Sequence, residues 1–246
     1  MKHVRNLVIL IFLLLAGPFS LVACGEVSLE GDWSQASRDV AGIAPDPSSH
    51  PEAIVQVYAA RAFKWRGAFA VHTWIALKAA HGSAFTTYEV MGWNVYHGGS
   101  AIDINEGAPD RYWYGSRPRI LADLRGKPAE AAITRIRQAV AEYPYAGEYR
   151  TWPGPNSNTF TAFILRRVPE LKADLPPTAI GKDYLPGPSF VARTPSGGGF
   201  QLSAFGLLGI LVSAEEGVEI NLLGLSAGVD FGDLALRLPG LGRLGL

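Results

Sequence analysis

A single cysteine, Cys24, limits the folds and the chemistry open to this chain of 246 residues. One thiol cannot form an intramolecular disulfide, and it cannot supply a zinc site built from several cysteines. The fold must therefore be held together by its core, and a nucleophile in the body of the protein must be an oxygen or a nitrogen. Cys24 also follows an apolar N-terminal stretch directly, so its position bears on where the protein resides.

Residues 1–23 have the layout of an export signal. A short basic segment precedes an apolar run from Leu7 to Leu15, and small residues precede Cys24. The apolar run is shorter than the roughly 20 residues that a membrane span needs, and we expect Gly17 and Pro18 to break it. These features predict a signal peptide over residues 1–23.

The segment Leu21-Val22-Ala23-Cys24-Gly25 resembles the lipobox of bacterial lipoproteins, in which the cysteine is acylated and becomes the new N-terminus. The resemblance implies a lipid on Cys24 and the membrane as a partner. Because Gly25 rather than an aspartate follows the cysteine, it also implies the periplasmic face of the outer membrane of a bacterial cell envelope. An ordinary cleaved signal and an uncleaved anchor stay open as alternatives.

Composition predicts one medium-sized domain with extensions. The 28 Gly and 17 Pro indicate many turns, and the formal net charge of zero gives no reason to expect a nucleic-acid partner. We divide the mature chain into a lipid-anchored tether (24–52), an α+β domain (53–190) and a Gly/Leu-rich β-meander that packs on it (191–246). A meander that lies against lipid, close to the tethered N-terminus, stays open as an alternative. In the meander we expect turns near 215–217 and 227–228.

Hydrophobic periodicity predicts an antiparallel sheet packed by two helices. The strands are expected over 53–58, 68–78, 85–93 and 119–124, with a turn at 81–83 and an irregular stretch over 96–114. The first helix is expected to have Pro128 in its first turn and to end near Tyr143-Pro144, and the second is expected from Ser157 to Val168. The fold class is therefore α+β.

Two segments are candidates for chemistry. His72 lies within an otherwise apolar strand, and Ser157 follows a rigid turn at a predicted helix start, where free N–H groups favour an anion. Ser157 is the candidate nucleophile and His72 its base. Glu89 is the candidate that orients His72, because an odd-sum hairpin register places both on one face. Asn94 and Asn156 are weaker candidates for that third role. The structural alternatives are a hydrogen-bonded core histidine for His72 and helix capping for Asn156 and Ser157.

The order of these elements resembles the circularly permuted NlpC-type papain-like fold, which includes the lecithin–retinol-acyltransferase-like proteins. Those proteins open a helix with Asn-Cys-x-x-Phe, and here Asn156, Ser157 and Phe160 match that spacing with serine in the cysteine position. The segment from Trp152 to Phe160, with the later Ile180 to Pro186, also resembles an uncharacterised family of bacterial envelope proteins. The first resemblance implies a papain-like groove, and the second implies no activity.

Two functions stay open. The first is a non-catalytic binding or structural lipoprotein for a peptidoglycan peptide or a lipid, since a papain-like site without its thiol loses its nucleophile. The alternative is a serine-dependent amide or ester hydrolase or acyltransferase that uses Ser157 and His72. The binding hypothesis names two asparagines and four tryptophans as ligand contacts: Asn156, Asn158, Trp74, Trp93, Trp113 and Trp152.

Other residues that carry charge or bind metals give weaker signals. Four arginines lie near Tyr112, Trp113 and Tyr114 and are candidates for gripping an anion: Arg111, Arg117, Arg119 and Arg125. The histidines lack the spacing of metal ligands, so we predict neither a metal nor another cofactor.

Overall fold

The computed structural model describes residues 2–245. Its first element is helix α1 (Lys2–Ala23), which continues through Pro18. The predicted break at Gly17 and Pro18 is therefore wrong; the helix keeps its course past the missing N–H of the proline. α1 is the one helix in the described part of the chain that is long and apolar enough to cross a membrane, a property that signal sequences share.

The first sheet has five antiparallel strands in the order β4-β3-β2-β1-β5. The three strands predicted first and the strand after residue 118 are present with small shifts of their ends. The prediction of an irregular stretch missed β4, which pairs with β3 along its whole length. The bounds are β1 Ile54–Arg61, β2 Val71–Lys78, β3 Phe85–Val90, β4 Ile102–Gly107 and β5 Arg119–Arg125.

Two helices cover one face of this sheet, as predicted. Helix α3 (Lys127–Ala141) and helix α4 (Ser157–Leu165) bury their apolar sides against β1 and β2, for instance around Val57 and Ile75. A further short helix, α2 (Gly92–Tyr96), follows β3. The class is therefore α+β, with the main core between the sheet and the helices.

The opposite face of the first sheet carries Tyr58, Trp74 and Phe85. It is covered by loop residues 109–116 and by residues 37–46, which run beside that loop rather than hanging free as a tether would. The carboxylate of Asp110 accepts hydrogen bonds from the backbone N–H groups of Ile43 and Ala44, at 2.6 and 3.1 Å. This second face is where the cleft described below opens.

A second sheet of seven strands forms a meander in chain order, as the Gly/Leu-rich tail predicts. The turn expected near 227–228 is wrong, because β10 runs through both residues and the turn lies at Leu223–Gly224 instead. The expected turn before Gly217 is present. The bounds are β6 Val191–Arg193, β7 Gly199–Ala204, β8 Leu208–Ser213, β9 Gly217–Leu222, β10 Leu225–Asp230, β11 Ala235–Leu238 and β12 Gly242–Gly245.

The inner face of the second sheet packs on the domain through charged and polar groups. Glu219 accepts a hydrogen bond from Lys182 at 2.6 Å and a second from Arg237, whose guanidinium also binds both oxygens of Asp174 at 2.6 Å. Arg166 donates to Gln201 at 2.7 Å. Burial lowers the pKa of Arg166 to about 10. A network of paired charges thus joins the two parts of the molecule.

Candidate functional site

The serine at the start of α4 lies within a capping arrangement. The side chain of Asn156 accepts hydrogen bonds from the N–H groups of Asn158 and Thr159, at 3.0 and 3.1 Å. In return, the Thr159 hydroxyl accepts one from the Asn156 N–H at 3.1 Å. Asn156 is therefore the N-cap of a reciprocal capping box, and Ser157 is the first helical residue, itself buried.

Asn158 fixes the start of α4 on the sheet. Its amide donates to the carbonyl oxygens of Val71 at 2.9 Å and Ile180 at 2.8 Å, and its oxygen accepts from the Thr73 hydroxyl at 2.9 Å. These bonds satisfy every group of a buried side chain that otherwise lies among apolar residues. The structure gives Asn156 and Asn158 capping and bridging contacts within the fold, in place of an exposed position for a ligand.

His72 lies on the other face of the sheet from Ser157. Successive side chains of a strand point to opposite faces, and in β2 it is Thr73 that points at α4. The His72 ring stacks on Trp113 with 3.5 Å between ring centroids, on the face that carries Trp74. The predicted proton transfer from Ser157 to His72 is therefore not assembled, because the sheet lies between the two side chains.

The structure does bring His72 and Glu89 together. The hairpin pairs Ile75 with Tyr88, an odd-sum register that places residues 72 and 89 on one face, as expected. The Nε2 atom of His72 lies 2.8 Å from Oε2 of Glu89, and both side chains are buried. A role for Glu89 in orienting His72 stays a prediction; the contact itself is observed.

Beside this pair a cleft of about 250 Å³ opens above β2, β3 and β4. Its floor is made by strand residues and its walls by the loop over 109–114 and by Arg38. Aromatic rings, two carboxylates and two guanidinium groups share one small volume. The lining residues are Arg38, Trp74, Thr87, Glu89, Met91, Asp103, Asn105, Pro109, Arg111, Tyr112, Trp113 and Tyr114.

The carboxylates of the cleft lie on neighbouring strands. Glu89 of β3 is paired with Asp103 of β4, so both project to the same face. The Asp103 carboxylate accepts hydrogen bonds from the amides of Asn105 at 2.6 Å and Asn94 at 3.3 Å. Amide donors therefore hold Asp103 in place, and this part of the cleft is suited to a cationic group.

The guanidinium groups of the cleft have no carboxylate partner within 4.0 Å among residues 2–245. Arg38 lies over the Tyr114 ring at 4.4 Å and donates to the Trp33 carbonyl at 3.0 Å. Arg111 is exposed at the start of the cleft loop. The cleft thus carries positive charge that no carboxylate of the described residues neutralises, and both terminal nitrogens of Arg38 donate to backbone carbonyls.

The remaining predicted contacts lie elsewhere. Of the four tryptophans, Trp74 and Trp113 line the cleft. Trp93 lies on α2 against Trp33, and the indole of Trp152 donates to the Leu223 carbonyl at 2.9 Å, beside the second sheet. Of the four arginines, Arg111 alone lines the cleft; Arg117 and Arg119 are exposed, and Arg125 pairs with Asp123 at 2.9 Å.

Four polar residues of the cleft were not predicted from the sequence, namely Arg38, Thr87, Asp103 and Asn105, and Tyr112 and Tyr114 were named only as neighbours of the arginines. Arg38 was assigned to the tether, and β4 was expected to be irregular. The alternation of Ile102, Ile104 and the polar residues between them is a signal for a half-buried strand that would have placed Asp103 and Asn105 together.

Cys24 is exposed directly after α1. Within residues 2–245, no three side chains of His, Cys, Asp or Glu are grouped as metal ligands.

Comparison with known proteins gives a family and no activity. No curated protein and no solved structure is significantly similar to the chain. One family matches residues 52–184, a range that holds the five-stranded sheet, its helices and the pair of His72 and Glu89. The expectation of an uncharacterised family is thereby confirmed: the chain belongs to the family described as "Protein of unknown function (DUF3750)".

Proposed function

We propose that this protein is a non-catalytic binding protein of the bacterial cell envelope, and that the cleft above β2, β3 and β4 takes a zwitterionic peptide of the peptidoglycan type. One observation carries the proposal: unpaired guanidinium groups and a carboxylate pair face the same aromatic cleft. A peptide with a free amino group and a free carboxylate matches both signs of charge.

The aromatic walls supply the rest of the binding. Trp113 and Tyr114 contact each other edge to face, with 5.0 Å between ring centroids, and flank the cleft. Their rings offer apolar surface to short aliphatic side chains, while Arg111 is placed to meet a carboxylate by charge-assisted hydrogen bonds. Glu89 and Asp103 would meet the amino group.

A serine-dependent enzyme is the weaker candidate. Ser157 lies at the start of α4, and His72 faces away from that helix. The packing of α4 on an antiparallel sheet supports the proposed relation to permuted papain-like folds at the level of topology. The strand residue that faces the helix start is Thr73, which is neither a base nor a nucleophile activator.

The proposal includes anchoring through lipid on Cys24, at the periplasmic face of the outer membrane. The support is the lipobox-like segment before an exposed cysteine, together with the apolar helix α1. Bacterial cells that express the full chain and are fed an alkyne fatty acid should label the wild-type protein and leave Cys24→Ser unlabelled. Equal label in both would contradict acylation of Cys24.

The binding test uses calorimetry with a synthetic stem tetrapeptide that carries free termini. Arg111→Ala should weaken binding by about 10- to 100-fold, the factor that corresponds to one hydrogen bond to a charged group. Arg137→Ala is the matched control, since Arg137 is exposed on α3 across the sheet. Ser157→Ala should bind normally.

Two outcomes contradict the proposal. An N-acetylated, C-amidated form of the peptide that binds as well as the free peptide would show that the charges do not contribute. Release of product by the wild type and not by Ser157→Ala would establish the serine enzyme instead.

A further inference from the structure

The second sheet carries its apolar side chains on the face away from the domain. Neighbouring strands place them directly opposite one another: Phe200 pairs with Val212, Leu202 with Ile210, and Ile210 with Ile220. Ile220 is 59% exposed. We call this surface the outer face; it consists of the alternate strand positions that carry Phe200, Leu202, Ile210, Val212, Ile220 and Leu236.

The outer face is far larger than the scattered apolar residues of an ordinary surface. Over residues 191–245, Arg193 on the first strand is the one charged residue at these alternate positions. The inner face of the same strands holds Gln201, Glu219 and Arg237. Polar groups inside and apolar groups outside reverse the usual order of a sheet that faces water.

The turns at one end of the sheet are apolar as well. Two of them place Phe205 and Leu223 at positive φ, 55° and 54°, each followed by a glycine. Short hairpin turns favour Asn, Asp or Gly at such positions, because these residues tolerate the left-handed region. Large apolar side chains that project from strained turns are costly in water and suited to an apolar medium. At the opposite end of the sheet, the turn before Gly217 carries Glu215 and Glu216, and the turn over 231–234 carries Asp233 beside the exposed side chains of Phe231 and Leu234.

Helix α1 meets the sheet at this apolar end. A Cβ atom on Gly17 would lie 2.1 Å from the Pro239 carbonyl oxygen, and one on Gly240 would lie 2.7 Å from Pro18, so helix and turn are in close contact. Leu21 packs in one cluster with Leu241. Whether α1 is kept or the chain begins at an acylated Cys24, the attachment to the membrane lies beside the apolar turns.

We infer that the outer face of the second sheet lies against the acyl chains of the bilayer to which the N-terminus is attached. Lipid is the occupant that fits a surface with a single charged residue, the apolar turns and the contact with α1 together. The inference is independent of what the cleft binds, and it uses the proposed anchoring only to say which end of the sheet lies at the membrane.

The experiment places the full chain in vesicles of phosphatidylethanolamine and phosphatidylglycerol that contain a phospholipid with a diazirine in its acyl chain. After illumination, mass spectrometry maps the cross-linked residues. We expect cross-links in α1 and at outer-face residues, and none at Ile104, an apolar residue of the first sheet that is 54% exposed.

Ile220→Asp and Ile104→Asp form a matched pair of variants, since each adds one charge at an exposed apolar position in a strand. Ile220→Asp should lower cross-linking of the second sheet by about tenfold while α1 stays labelled, because a carboxylate resists burial in hydrocarbon. Ile104→Asp should leave the map unchanged. Near-UV circular dichroism shows that both variants stay folded.

Three results would overturn the inference. Labels confined to α1 would leave the anchoring intact and remove the sheet from the membrane. No label in any segment would remove both. Cross-links between the second sheets of two chains, lost in Ile220→Asp, would show that a second copy covers the outer face in place of lipid.

Discussion

Side chains alternate between the two faces in both sheets of this protein, but the first sheet buries apolar residues under the helices and the second buries charged and polar ones against the domain. In the first sheet, Ile75 is fully buried beneath the helices. In the second, Glu219 is buried between Lys182 and Arg237, while its neighbour Ile220 faces outward. The alternation of side chains along a strand determines which residues share a face of the sheet. What packs against each face determines which face is buried. Substitutions on the inner and outer faces of the two sheets test that contrast.

The largest effect is expected at Glu219. In Glu219→Ala, Lys182 and Arg237 would stay buried without their shared carboxylate, although Asp174 and Asp183 still lie near them. Removal of one partner from a buried ion network costs about 3–5 kcal/mol. We expect a loss of that size in the free energy of unfolding, measured by urea denaturation of the full chain in a mild detergent.

Glu142→Ala is the control for this variant. Glu142 faces Arg167 at 3.8 Å with both side chains largely exposed, so its removal should change the unfolding free energy by less than about 1 kcal/mol. Equal effects of the two substitutions would contradict the view that buried charge holds the second sheet to the domain.

Two isoleucine variants compare the sheets directly. Ile75→Ala removes a buried side chain from the first sheet and should cost about 2–5 kcal/mol through lost burial and the cavity it leaves. Ile220→Ala removes an outward side chain of the second sheet and should cost less than about 1 kcal/mol in the same mild detergent. The same denaturation measurement decides both, and similar losses would mean that the outer face is covered within the protein.

Most of the fold was predictable from local patterns. The strands around Val57 and Ile75, the helix after Pro128 and the helix start at Ser157 carry strong periodicity or turn signals, and each is present. Strand β4 was missed because the alternation of Ile104 with polar residues covers only a short stretch and is a weak signal. The strand forms because it pairs with β3 along its whole length. The path of α1 through Pro18 was missed because the local rule for proline in a helix did not hold there.

The site was only partly predictable, because it depends on which face a residue occupies. The register of one hairpin correctly placed His72 and Glu89 together. Whether the side chains of His72 and Ser157 lie on the same side of the sheet depends on how α4 packs on β2. The register of a hairpin gives no information about that packing. Arg38 lines the cleft although it lies 34 residues before His72 in the sequence, because residues 37–46 pack over the sheet. No local sequence pattern predicts that long-range contact.

Two substitutions at the start of α4, with smaller expected losses of unfolding free energy, distinguish a capping residue from one that has no role in the cap. Asn156→Ala removes the acceptor for two N–H groups and should cost about 0.5–2 kcal/mol of unfolding free energy. Ser157→Ala should cost less than that, since the capping box does not use the Ser157 side chain. Thermal unfolding of the two variants compares them, and a larger loss in Ser157→Ala would give that hydroxyl a structural role that the capping geometry does not provide.

The smallest effect is a dependence on pH in the second sheet. Burial alone would raise the pKa of Asp230, but hydrogen bonds from Arg243, at 2.9 Å, and from the N–H groups of Asp233 and Gly232 outweigh it, and the pKa is lowered. A carboxyl group whose pKa is lower in the folded state adds stability above its unfolded pKa and loses it as the pH falls through the folded value. The difference in unfolding free energy between wild type and Asp230→Asn should therefore be constant from about pH 5 to 8 and shrink below about pH 4. Denaturation at each pH measures it. A difference that persists down to about pH 2 would show that Asp230 acts through hydrogen bonds that protonation does not weaken. Charge would then contribute less to the stability of the second sheet than the ion pairs of its inner face indicate.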